Sequence, residues 1–395
     1  MKENLKSYGE MQLNSEITHM LLKDILSQDK AVDTLQRAFA AQKIPHAYIF
    51  AGAEGVGKFT AARCWAKLLL CRSPVKLVRH SFSEGGMNDF ADSCGKCDSC
   101  QSFNVDSHPD FHHVYKELIG FTSDPQNRKK TPIDLPIDVV REFIIQKVQI
   151  KPALSAAKVF VVSESEKLNA AGQNALLKTL EEPPLQSFII LLCTKLDNLL
   201  PTARSRCQIV RFGPVSEEKI IAHLAGIDRN EAKFWARLSA GSIGRAELLA
   251  KLEPHFYEIK KQFLKRLCTC RLADCVDLAQ WVNSTAAKLT ESWQTFKADT
   301  SKSDIGRQAK KTFVQVLISA LDDAMKQGFI KSAEMINFDQ HEQIKILAKK
   351  HDPQECAELI EGCFMADRFI DASVNEKLVF EHLLLNFTHS AIMVN

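Results

Sequence analysis

The sequence predicts an α/β fold built on a parallel sheet and followed by regions that are helical throughout. Short apolar runs alternate with amphipathic segments up to about residue 212, and a glycine-rich turn joins the first such run to a helix without breakers. From Ser216 onward the β signal disappears. At 395 residues, with 45% hydrophobic and 25% charged, the chain is too long for one small core and too apolar for disorder, so two or three domains are expected.

Residues 31–42 place Val32, Leu35 and Phe39 at helical spacing, and the apolar run Tyr48 to Phe50 then enters a turn containing Gly52, Gly55 and Gly57. Thr60 to Cys71 is rich in Ala and Leu and reads as a helix. The segments 72–93 and 116–136 are polar, hold several Pro, Gly, Ser and Lys residues, and read as exposed loops. A helix around 137–148, a strand at 158–163, a helix at 169–182 closed by Pro183-Pro184 and a strand at 188–194 follow. Strands alternating with helices imply a parallel sheet covered on both faces. Helical patterns then fill about 216–252 and 255 to the end, with Pro254 and the polar stretch 297–306 as breaks.

The net charge of +3 is too mild to mark a nucleic-acid binder, which usually concentrates a basic face. The first residues, MKENLKSYGEMQLNSE, lack an apolar leader core, and no run approaches the roughly 20 apolar residues that cross a bilayer. A cytoplasmic protein without a membrane partner is expected.

Gly52 to Lys58 reads GAEGVGK, the G-x4-G-K pattern of a phosphate loop, between a strand and a helix. Its glycines let backbone N–H groups face a phosphate, the following helix adds the positive end of its dipole, and Lys58 supplies a point charge. Two positions depart from a working ATPase. Phe59 stands where a hydroxyl should ligate Mg²⁺, with Thr60 one place late, and Ser163-Glu164 stands where an acidic pair should follow the strand. ATP or ADP can still bind such a loop, but a magnesium ion has lost both oxygen ligands and hydrolysis is expected to be slow or absent. A shifted geometry in which Thr60 or Glu164 substitutes is the competing reading.

Of twelve cysteines, eight are scattered singly, as buried apolar residues would be. Cys94, Cys97 and Cys100 instead form C-x2-C-x2-C in a polar loop, and Cys71 ends the preceding helix, a quartet suited to one structural zinc. His108, His112 and His113 lie nearby, but HPDFHH reads better as the lead into a strand. Arg206, in Ser205-Arg206-Cys207 before the last β segment, sits where a rim arginine can reach a phosphate held by another subunit.

The order HAYIFAGAEGVGK, four-cysteine module, HPDFHHV, ALLKTLEEPP and LLPTARSRC resembles the clamp-loader AAA+ family of bacterial DNA polymerase III, on its delta-prime branch. The resemblance covers roughly residues 28–250 and is looser beyond. It implies an AAA+ nucleotide-site domain over 1–214 with a zinc module at about 71–100, a helical lid over 215–253 and a helical collar over 254–395. It implies that Arg206 is a finger acting in trans, that Thr194 occupies the sensor-1 position and that Arg245 lies near sensor 2. Implied partners are the gamma/tau ATPase subunits and delta in a hetero-pentamer, and through it the sliding clamp and primer-template DNA. An active gamma/tau-type ATPase and a zinc-dependent nucleic-acid binder are the alternatives.

Overall fold

The computed structural model describes residues 19–80, 87–129, 132–184, 186–296, 300–327, 329, 331–372 and 374–389. The leaderless start read at residues 1–16 lies outside them. The described chain divides into two compact units, one running to Ser216 together with Gly241–Gly244, the other comprising Glu217–Ala240 and the residues from Arg245 onward.

The first unit is organised by a five-stranded sheet in the order β4-β5-β6-β1-β7, parallel throughout: β1 (Ala47–Ala51), β4 (Phe111–Val114), β5 (Lys158–Val162), β6 (Ser187–Cys193) and β7 (Gln208–Arg211). The two-residue period of a strand sends alternate side chains to opposite faces. Tyr48, Phe50, Val159, Val161, Ile190 and Leu192 pack on one face with α1 (Asp29–Ala40) and α2 (Lys58–Leu70). Ile49, Phe160, Val162, Ile189 and Leu191 pack on the other with the helical segment at 137–148 and the helix at 170–181. Both faces are therefore dry, which is why these strands read as continuous apolar runs.

The reading of 72–93 and 116–136 as exposed loops is corrected. Val75–His80 (β2) pairs antiparallel with Met87–Asp92 (β3), setting Leu77 opposite Phe90. The amide of Gln36 binds the backbone of Ala91 from both sides, accepting from its N–H at 2.9 Å and donating to its carbonyl at 2.7 Å. Within 116–129, Lys116–Phe121 and Pro125–Lys129 are 3-10 turns, and Leu118, Ile119 and Thr122 are buried. α3 (Asp98–Asn104) follows the hairpin and carries Cys100. α4 (Ala170–Glu181) opens on Asn169, whose side chain accepts from the Gly172 N–H.

In the second unit every regular element is helical among the described residues, the longest being Cys275–Phe296, Lys302–Met325 and Pro353–Asp371. Its core includes Phe234, Trp235, Phe256, Phe263 and Phe313. Lys260 is wholly buried there, donating to Asp339 at 2.6 Å with its ammonium 4.1 Å from the Phe234 ring centroid.

Candidate functional site: a phosphate loop with its metal positions filled

The loop leaves the C-terminal end of β1, an internal strand flanked by β6 and β7. Its first residue is held on both sides. Gly52 donates to Cys193 O at 3.1 Å, and Phe212 donates back to Ala51 O at 2.8 Å. A Cβ at Gly52 would lie 2.5 Å from Phe212 O, so this close approach requires glycine. Gly55 and Gly57 have φ of 74° and 97°, the left-handed region, and Gly57 caps α2. Lys58 folds back into the loop, donating to Gly52 O and Ala53 O, each at 2.6 Å. Burial lowers the pKa of its ammonium, and the carboxylates of Glu166 and Glu54 oppose that shift.

The two departures from a working ATPase meet on one histidine. The ring of Phe59 packs on the apolar core and against that of His113, whose Nε2 shares a 2.8 Å hydrogen bond with Ser163 Oγ. Burial, with Arg63 adding to it, pushes His113 down to about 4, so the imidazole is neutral near pH 7. Phe59, the neutral imidazole of His113 and the Ser163 hydroxyl are thus packed together.

Glu164, named from the sequence as a candidate, has φ of 50° and its carboxylate is paired to Lys167 and Lys116. The carboxylate that acts on Lys58 includes Glu166, two residues further on. Glu166 Oε1 accepts from both the N–H and the hydroxyl of Thr194, while its Oε2 is buried without a hydrogen-bond partner. The structure therefore joins Glu166 to Thr194, with its charge acting on Lys58, and ties Glu164 to the lysines instead. Sequence reasoning missed Glu166 because the strand-end pattern looks one residue past the strand, whereas here a 3-10 turn at Ser165–Lys167 carries the acid back.

Thr60 lies in the first turn of α2 and is half-buried. Arg245 belongs to the helical unit, apart from the loop residues in the division of the chain. Arg206 follows the short helix Pro201–Arg204 and is a third exposed. Its guanidinium pairs with Glu181 at 2.5 Å and donates to Thr202 O at 2.6 Å, so its own chain holds it in one orientation.

The sulfurs of Cys71, Cys94, Cys97 and Cys100 lie within 4.8 Å of one another, with Cys71 to Cys97 at 4.0 Å and Cys94 to Cys100 at 3.9 Å. A tetrahedral zinc with sulfurs at about 2.3 Å sets them about 3.8 Å apart, so the quartet fits that ion. The neighbouring Cys100 thiol holds the Cys71 thiol below its ordinary value, and amides of Cys94 and Ser73 support the thiolate. The closed four-sulfur set leaves no position for a substrate.

A parallel sheet whose internal strand delivers a glycine-rich loop and lysine into a helix is a phosphate-loop fold. A family model described as DNA polymerase III, delta subunit, matches residues 27–216. The delta-prime subunit of DNA polymerase III from Escherichia coli (strain K12) is 26% identical over 362 residues, 90% of this chain and 93% of that protein. The delta-prime subunit from Bacillus subtilis (strain 168) is 24% identical, over 91% and 95%. The tau subunit from Bacillus subtilis is 30% identical over 51% of this chain and 31% of its own length. The chain is thus similar to the delta-prime, gamma and tau subunits of DNA polymerase III, and its matches to the two delta-prime subunits run nearly the length of both chains.

Proposed function

We propose that this chain works as a delta-prime-type subunit of a clamp loader, supporting ATP-driven loading of a sliding clamp onto primed DNA without a robust ATPase of its own. It assembles with gamma/tau and delta in a hetero-pentamer in the cytoplasm, with the clamp and primer-template DNA as partners of the complex. Arg206 reaches in trans into a neighbour's ATP site, where a guanidinium neutralises charge on the γ-phosphate in the transition state. Residues 1–214 form the nucleotide-site domain, 215–253 the lid and 254–395 the collar. Zinc held by Cys71, Cys94, Cys97 and Cys100 is structural. In this reading Gly52, Gly55, Gly57 and Lys58 would hold any bound phosphate, with Thr194 at its edge.

The observation that carries the reading is the contact of Phe59 with His113 and of His113 with Ser163. It supports a site poor in Mg²⁺ ligands, with an aromatic ring and an imidazole-bound hydroxyl in place of the usual hydroxyl and carboxylate, and phosphoryl transfer depends on that ion for charge neutralisation. The test is magnesium-dependent ATP turnover by the isolated chain, expected at background. Turnover comparable to a working loader, abolished by Lys58→Ala, would replace this reading with a gamma/tau-type motor.

A further inference from the structure

The HPD segment at residues 108–110 lies outside the phosphate loop and outside the cysteine quartet, yet its polar atoms converge on the backbone beside two of the four cysteines. His108 is buried, and its Nδ1 accepts from the Asp110 N–H at 3.1 Å, which places the ring proton on Nε2. That Nε2 faces two hydroxyls, Ser99 Oγ at 2.9 Å and Ser155 Oγ at 3.2 Å. Both hydroxyls donate to one acceptor, Leu70 O, at 2.7 and 3.0 Å. The two hydroxyls also lie 3.2 Å from each other, so one ring N–H, two hydroxyls and one carbonyl form a closed cluster in which Ser155 can donate to Leu70 O or to Ser99 Oγ.

The positions of those partners give the network its meaning. Leu70 is the last residue of α2 and immediately precedes Cys71, and its carbonyl is one of the orphan acceptors at a helix end. Ser99 immediately precedes Cys100. Ser155 belongs to the segment that enters β5, and that segment is gathered by Asp110, whose carboxylate accepts from the N–H groups of Ala153, Leu154 and Ser155 at 2.6, 2.8 and 2.7 Å. The segment leading into β4 therefore binds, through His108, the backbone that carries Cys71 and Cys100 and, through Asp110, the approach to β5.

We propose that His108 and Ser155 are positioning residues for the metal site, a latch that fixes the Cys71 and Cys100 backbones before the ion arrives. The proposal rests on the zinc reading above. Groups that orient metal ligands through hydrogen bonds typically contribute roughly 10–100-fold in metal affinity. The ion's own bonds remain with the four sulfurs, so the latch acts on how far apart the ligand-bearing segments move when the ion leaves.

The test measures zinc release from the purified full-length chain into a chromogenic chelator, for the native protein, His108→Ala and Ser155→Ala. Release is expected to quicken by about ten-fold or more in His108→Ala and by less in Ser155→Ala, while the helical circular dichroism of the zinc-loaded proteins stays native. Ser155→Ala removes a single hydroxyl and decides the matter should His108→Ala fail to fold. Zinc-bearing native protein whose release rate is unchanged in the variants overturns the latch and leaves the zinc reading standing. Native protein that carries no zinc overturns both.

Discussion

The ring of Phe59 lies 4.6 Å from the ring of His113, and through that histidine it is linked to Ser163, just past the end of β5. Phe59, His113 and Ser163 are thus one packed unit, and changing one changes the environment of the others. Ser163→Asp would set a carboxylate within hydrogen-bond reach of a neutral imidazole. An opposite charge at that range favours the protonated ring, so the titration of His113 is expected to rise from about 4 by roughly 1–3 units. Histidine resonances followed by NMR across pH 3 to 8 give the answer, and an unmoved His113 would show that the pair does not communicate.

Arg206→Ala is expected to leave this chain folded and able to assemble while lowering the ATPase rate of the complete loader by on the order of 10³ or more. Glu181→Gln separates orientation from charge, since it weakens the guanidinium's intrachain partner and keeps the arginine. A smaller effect on the loader is expected from it. Complex activity indifferent to Arg206→Ala removes the finger assignment.

Gly52→Ala tests the packing of the loop against the sheet. The added methyl would meet Phe212 O at 2.5 Å and Phe212 Cβ at 2.9 Å, so either β7 or the loop must shift. Overpacking of this kind costs about 1–3 kcal/mol. Urea unfolding should show a lower midpoint for the variant, and an unchanged midpoint would mean that the approach is looser than described.

Acid should destabilise the chain before its carboxylates titrate. Burial holds His112, His113 and His351 at about 4 each, helped by Lys147, Arg63 and Lys350 respectively, against an ordinary value near 6.5. Below 6.5 the unfolded chain takes up protons that the folded chain refuses. Stability present above pH 6.5 is therefore lost progressively as the pH falls toward 4. Urea midpoints at pH 7 and pH 5 measure the loss. His351→Phe, which keeps a ring against Phe387 in the helical unit, should narrow the gap between those midpoints, and an undiminished gap would acquit that histidine.

Much of this was legible in the sequence because the signals are local. The G-x4-G-K spacing and C-x2-C-x2-C need only neighbouring residues to declare themselves, and dry strands such as Phe188 to Cys193 announce burial by composition alone. The pairing of Val75–His80 with Met87–Asp92 escaped because only Leu77, Phe90 and a few companions are apolar, and Ala91 finds its partner in Gln36 on a distant helix. His113 and Glu166 escaped for the same reason. Their roles are set by partners 50 and 28 residues away, Ser163 and Thr194, which no window along the chain can see.

Helix α2 begins with Lys58 in the phosphate loop and ends one residue before Cys71. Thirteen residues at 1.5 Å each make a rod about 20 Å long with no breaker inside it. Such a rod neither stretches nor folds under small loads, so the sulfur cluster and the lysine ammonium are opposite tips of one lever. The backbone at Cys71 and the backbone at Lys58 thus share one rigid element, while the ammonium itself is seated by the carbonyls of Gly52 and Ala53.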